Sequence, residues 1–209
     1  MTSIEKARRE LRPWNLDGIS EEQIAQHWAL YEGYVKNASA LREKLELLSK
    51  VENFGPEFTE LKRHWAFEAD GVILHELYFE ALKSGGVSPN EAADVTKLLK
   101  KFFGGFAAWK KEFTAVGKMR GAGWAILYFD PRAAAMTNVW IESHEYGHPA
   151  GAAPLLVMDV WEHAYMVDWS ASGRGEYIDA FFKNVDWAKV ESRLHAALNS
   201  YAPENSSRR

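Results

Sequence analysis

The sequence predicts an α+β fold: an N-terminal α-helical hairpin followed by a three-stranded antiparallel sheet flanked by helices. Apolar residues recur at three- and four-residue spacing through the first half. Three short apolar runs bounded by turn residues follow in the second half, and the pattern then returns to helix. Helices and strands are thus grouped, not alternated as βαβ units would be. A boundary near residues 85–90 divides a hairpin domain, residues 1–86, from an α+β domain, residues 87–209.

Ser20 is placed to cap the first helix, with Glu21 and Glu22 in its first turn and Gln23 at the capping-box position. Ile24, His27, Trp28, Tyr31, Tyr34 and Val35 then recur on one face. The stretch Asn53–Pro56 (NFGP) breaks this helix. Phe58 to Leu82 forms the second, closed by Gly85 and Gly86. Ser88–Pro89–Asn90–Glu91 opens a third helix, interrupted at Gly104–Gly105, and a further helix carries Trp109 and Phe113 towards Gly117. GWAILYFDPR and MTNVWIES read as a strand hairpin, and PLLVMDV as a third strand. From Glu162 the chain is expected to be helical again, before a disordered tail, Pro203–Arg209.

With 209 residues, 47% of them hydrophobic, the chain can bury a sizeable core. Lys and Arg number 25 against 29 Asp and Glu, and this net charge of −4 argues against a nucleic-acid binder. Cysteine is absent, which excludes thiolate metal sites, so any metal must be held by imidazole and carboxylate. No stretch reaches the ~20 apolar residues of a transmembrane helix, and the charged N-terminus lacks the apolar region of a signal peptide. A cytoplasmic protein is expected.

Seven histidines are present: 27, 64, 75, 144, 148, 163 and 195. In MDVWEHAY, Asp159 ends an apolar strand, where a carboxylate is costly unless it is paired or bound to a cation. His163 follows four residues on, and a strand-to-helix turn can aim both at one ion. His75 sits in a helix that is apolar on its side, and His27 on the apolar face of the first helix. Spacing alone favours four unrelated residues: two core histidines, a capping Asp and an interface His. Dispersed ligands leave no short signature.

These same residues carry a resemblance to the iron/manganese superoxide dismutases over nearly the whole chain. DVWEHAY (159–165) resembles that family's most specific signature. ISEEQIAQH resembles its opening helix, HELYFEAL (75–82) the segment starting at the second ligand, FGGFAAWKKEF and GAGWAIL its middle segment, and EYIDAFFKNVDWAKVESRL its closing helices. The resemblance implies a superoxide dismutase that turns two superoxide anions into dioxygen and hydrogen peroxide. It implies one ion per subunit, iron favoured over manganese, held by His27, His75, Asp159 and His163. Zinc has compatible ligands but cannot cycle by one electron.

Further roles follow from the same resemblance. Tyr34 is similar to a gateway tyrosine beside the metal, although it lies seven residues after the first ligand where eight is usual. Tyr31 stands where a gateway histidine is common. The outer-sphere Gln of many members has one placement at Gly71 and another in SHEYGHP. There His144 resembles the branch that uses His, and His148 is the second candidate. Trp124 walls the site and Trp161 is a packing wall. Glu162 and Tyr165 are similar to residues that cross a dimer interface, the Glu to the partner's His163 and the Tyr to the partner's His27. A homodimer or a dimer of dimers is therefore expected, as is a superoxide-removing, antioxidant role. Arg174 and Lys36 are weaker candidates for steering an anion, with solvated surface charge the plainer reading. His64 and His195 are left as surface or core residues. A non-haem iron oxygenase would need a cosubstrate site, for which no residues are evident. Metal storage would show Glu-x-x-His helices. A non-catalytic or metal-binding relative of the same fold is the remaining alternative.

Overall fold

A computed structural model describes residues 4, 6–86 and 88–201; the tail Pro203–Arg209 lies outside them. Two long helices come first, α1 (Glu21–Lys50) and α2 (Pro56–Glu80), packed as an antiparallel hairpin. Ser20 caps α1 as expected, its hydroxyl accepting from Gln23 N at 3.0 Å. The reciprocal half of the capping box does not form. Ser20 N donates instead to Asp168 Oδ2 at 2.7 Å, and the Gln23 side chain turns inward to the candidate site. Pro56 occupies the first turn of α2, where its missing N–H costs nothing.

Helix α3 (Asp94–Phe103) starts later than its sequence suggests. Ser88 does not cap it. The cap is long-range: both carboxylate oxygens of Glu191 accept from Asp94 N and Val95 N, each at 2.8 Å. A carboxylate there also complements the positive end of the helix dipole. Helix α4 (Phe106–Gly117) follows after the expected break at Gly104 and Gly105.

Strands β1 (Trp124–Asp130), β2 (Ala135–Ile141) and β3 (Ala153–Asp159) form one antiparallel sheet in the order β2-β1-β3. The register sets Trp124 opposite Asp159, and a bulge between Leu127 and Tyr128 shifts the pairing with β3. Strands alternate their side chains, so Trp124, Ile126 and Tyr128 share one face of β1. Residues 162 onwards do not resume a regular helix. A 3-10 turn, Glu162–Ala164, comes first, and α5 (Arg174–Lys183) and α6 (Trp187–Ser200) complete the fold.

The apolar core runs without interruption from α1 and α2 through the sheet to α5 and α6. Fully buried Trp109 and Trp124 each contribute on the order of 5 kcal/mol of transfer free energy. Arg193 of α6 ties the layers together, donating to Leu155 O at 3.0 Å and Leu77 O at 2.8 Å, with Glu80 at 2.9 Å. No helix among the described residues is long and apolar enough to cross a membrane.

Candidate metal centre

Four distant stretches of chain meet at one point. Helix α1 delivers His27, α2 delivers His75, the end of β3 delivers Asp159 and the 3-10 turn delivers His163. One side-chain atom from each lies within 4.8 Å of the other three. Asp159 Oδ2 is the hub: His27 Nε2 is at 3.0 Å, His163 Nε2 at 3.1 Å and His75 Nε2 at 3.7 Å. The side chains of His27, His75 and Asp159 are wholly buried, and that of His163 is 21% exposed. The other carboxylate oxygen, Oδ1, accepts from Trp161 N at 2.8 Å, which fixes the rotation of the group.

Hydrogen bonds decide which atoms are donors. His75 Nδ1 lies 2.6 Å from Gly71 O. A carbonyl only accepts, so Nδ1 carries the ring proton and Nε2 carries a lone pair. That Nε2 is buried and has no partner. It faces the ionised Asp159 oxygen, another acceptor. Two acceptors aimed at each other in a dry interior call for a cation between them. Three imidazole nitrogens and one carboxylate oxygen suit iron or manganese.

The protonation of the centre agrees with this. Burial pushes His27 down despite its bond to Asp159. Burial, with His27 beside it, holds His75 well below the usual histidine range. Burial alone would raise Asp159, but the charges and hydrogen bonds of His163 and His27 outweigh it and keep the carboxyl far below the ordinary range. Burial would likewise lower His163, yet the adjacent Asp159 holds it raised.

His144 and Tyr34 close one side. Trp124 Nε1 donates to His144 Nδ1 at 3.0 Å. Indole N–H only donates, so the neutral His144 ring keeps its proton on Nε2. From there it donates to Tyr34 Oη at 3.0 Å, leaving the tyrosine O–H free to donate elsewhere. Burial lowers His144 to about 4 and raises Tyr34 to about 12, so both are neutral through the physiological range. The rings of Phe67, Trp161 and Trp124 pack around His144, with centroids 4.5, 5.5 and 5.7 Å away. Gly71 makes the space: a Cβ there would lie 2.8 Å from Tyr34 Cδ1 and 3.2 Å from His144 Cδ2.

Other sequence candidates fall elsewhere. Tyr31 is buried, but its hydroxyl points away from the centre, donating to Glu76 at 3.0 Å and accepting from Arg8 N at 2.9 Å. His148 lies behind His144, with Nε2 2.6 Å from its carbonyl. Trp161 stacks on His163. Glu162 stands at the surface beside it, its side chain 51% exposed. Tyr165 is buried in the chain's own core, stacked on Tyr177. Arg174 is tethered to Met119 O at 2.7 Å. His64 pairs with Glu68, and His195 with Asp94 and Glu191.

Sequence reasoning missed three supports. Buried Gln23, one turn before His27, donates to His163 O at 2.7 Å and accepts from Val167 N at 2.9 Å, locking the 3-10 turn to α1. Tyr177 donates to Asp159 O at 2.7 Å, with Tyr78 Oη 3.1 Å away. The position of Gln23 on the His27 face was a readable signal; nothing in the sequence pointed to the two tyrosines.

Residues 91–193 match the model of the iron/manganese superoxide dismutase C-terminal domain. The chain is 40% identical over 198 residues to "Superoxide dismutase [Fe]" of Aquifex pyrophilus, covering 91% of each protein. It is 33% identical over 213 residues to "Superoxide dismutase [Mn/Fe]" of Aeropyrum pernix, covering 97% of each. It is also 33% identical over 184 residues to "Superoxide dismutase [Mn] 2" of Haloferax volcanii, covering 88% of this chain and 90% of that one.

Proposed function

Since the chain belongs to the iron/manganese superoxide dismutase family, we propose that it is a superoxide dismutase whose ion is held by His27, His75, Asp159 and His163. It is an oxidoreductase acting on two superoxide anions, with dioxygen and hydrogen peroxide as products. Iron is favoured, in keeping with the name of the 40% identical relative, and manganese is the alternative. The observation that carries the reading is the buried, partnerless Nε2 of His75 facing the Asp159 carboxylate. When bound, the ion supplies one-electron cycling, which zinc cannot.

The protein's own part is to hold the donors, exclude water and move protons. His27 and His75 present nitrogens kept neutral by burial from helices α1 and α2. Asp159 contributes the single negative charge. Peroxide formation consumes two protons, and Tyr34 is the group placed to pass one. Burial pushes its pKa up to about 12, and His144 orients it by donating to its oxygen. Trp124 in turn fixes the proton of His144 on the correct nitrogen. Tyr31, aimed at Glu76, acts in packing and takes no part in this relay.

Homodimer formation belongs to the same proposal. Exposed Leu30, Met166 and Val167 surround Glu162 and the part-open face of His163. A second copy laid over this patch would dry the last ligand and place its Glu162 near His163, as the family resemblance implies. Tyr165, packed inside its own chain, is not part of that contact. The division at residues 86/87 is likewise proposed, with the ion at the seam between hairpin and sheet. A cytoplasmic location and an antioxidant role complete the reading, and cell fractionation checks the former.

Reconstitution tests the function. Metal-free protein loaded separately with iron and with manganese should consume superoxide in proportion to ion content, with the better metal giving the higher rate per ion. Full activity after complete chelation, or none with either metal bound stoichiometrically, would end the reading.

A further inference from the structure

His144 sits in residues 142–152, an irregular segment between β2 and β3 with no strand ladder to fix its height over the metal centre. Its ring must still meet Trp124 on one side and Tyr34 on the other, both at 3.0 Å. Such bonds are normally made at about 2.7–3.2 Å and weaken steeply with poor angle, so the backbone carrying the ring has to be held to a fraction of an ångström.

The holding device lies four residues on. His148 turns its ring back so that Nε2 is 2.6 Å from His144 O. The carbonyl only accepts, so Nε2 donates and Nδ1 bears the lone pair. Tyr128 Oη, 2.5 Å away, donates to that Nδ1. Gly147, at φ +94°, makes the return possible, and a Cβ there would lie 2.9 Å from Ile141 Cγ2. Tyr128 itself is anchored in the central strand β1 and is 1% exposed. It stands on the same face as Trp124 and four residues away. Two rungs therefore leave one face of β1. Trp124 reaches the ring of His144, and Tyr128 reaches its backbone through His148.

We propose that Tyr128 and His148 are positioning residues which hold the His144 backbone, and through it set the hydrogen bonds that His144 makes beside the ion. The inference rests on the dismutase reading for its consequence, though not for its geometry. Neither residue touches substrate or metal. Each acts through His144, in the manner of outer partners whose loss typically costs about 10- to 100-fold in metal-site function.

The test uses full-length, iron-loaded wild type, Tyr128→Phe, His148→Ala and His148→Gln, each assayed well below its melting temperature. Iron content, kcat/KM for superoxide and the midpoint potential of the bound iron are measured. His148→Ala is expected to keep its iron, lose about tenfold in kcat/KM and shift in potential. His148→Gln, whose Nε2 can donate to the same carbonyl, should recover most of both. Tyr128→Phe, which removes one hydroxyl and leaves the ring in place, should move both in the same direction by less. An unmoved potential in both His148→Ala and Tyr128→Phe would overturn the inference, as would loss that merely follows iron content and is not rescued by Gln. An inactive wild type would overturn the dismutase reading itself, while an active wild type with unmoved variants overturns this inference alone.

Discussion

The two halves of the molecule contribute to the candidate metal centre in different ways. The α1–α2 hairpin supplies His27 and His75, both wholly buried, both depressed in pKa by burial, both fixed on helices. The C-terminal half supplies Asp159 and His163 from a strand end and a 3-10 turn. There the carboxylate carries the charge, and the histidine is part-exposed and raised by it. One side offers dry neutral donors, and the other offers charge and an open edge. In the proposed dimer it is that open edge which a second copy would cover.

The largest effect should come from the dry side. His75→Ala removes the donor and leaves the Asp159 oxygen without its third imidazole, so iron or manganese retention and superoxide consumption should both fall to background. Elemental analysis of the purified variant beside its activity checks this. Retention of a full complement of metal would show that the helical ligands are dispensable.

Acid separates His163 from the buried histidines of the site by sign. His144 titrates at about 4 in the fold against an ordinary 6.5, and His27 and His75 shift the same way. In metal-free protein the His144 contribution is complete above about pH 6.5 and is lost as pH falls towards 4, because the unfolded chain binds more protons there, and His27 and His75 lose theirs in the same sense. Each contributes a slope of up to about 1.4 kcal/mol per pH unit. His163, being raised, contributes in the opposite sense: its part is present at low pH and lost as pH rises through its folded pKa. Below pH 6.5 the His163 contribution is already complete and does not offset the loss from the lowered rings, so the melting temperature should fall as pH drops from 6.5 towards 4. A flat profile from 6.5 to 4 would mean these rings are not held neutral.

Gly71→Ala probes the seam between the halves. Helix propensity favours alanine by about 1 kcal/mol, but a Cβ 2.8 Å from Tyr34 and 3.2 Å from His144 costs about 1–3 kcal/mol as overpacking. The clash should win, with activity reduced several-fold while metal content holds. Unchanged kinetics would show that the Tyr34–His144 pair has room to spare.

The smallest effect is expected at the open edge. Glu162→Ala should shift a dimer towards monomer in analytical ultracentrifugation and modestly lower metal retention, since an exposed ion pair or rim contact is worth about 1 kcal/mol or less. A monomeric wild type would remove the covering partner altogether.

Much of this was legible in the sequence, for definite reasons. Periodicity exposed α1 and α2, Ser20 announced its own cap, and apolar runs between turns marked the three strands to within a few residues. The four residues at the metal centre could be named through resemblance, but spacing alone left them unrelated, because 132 positions separate His27 from Asp159. What stayed hidden was long-range. The cap of α3 comes from Glu191, almost a hundred residues away. Tyr31 shares the His27 face, yet the choice between the centre and Glu76 is made by tertiary packing. His148 could be mistaken for the residue beside the ion because only the folded loop shows which of two histidines turns back to support the other.

The most direct check is anomalous X-ray diffraction at the iron or manganese edge on reconstituted protein. One peak per chain is expected, bonded at on the order of 2 Å to Nε2 of His27, His75 and His163 and to Oδ2 of Asp159. A peak elsewhere, or one at which His75 Nε2 or Asp159 Oδ2 is not a ligand, would contradict the central claim that these two facing acceptors exist to share a cation.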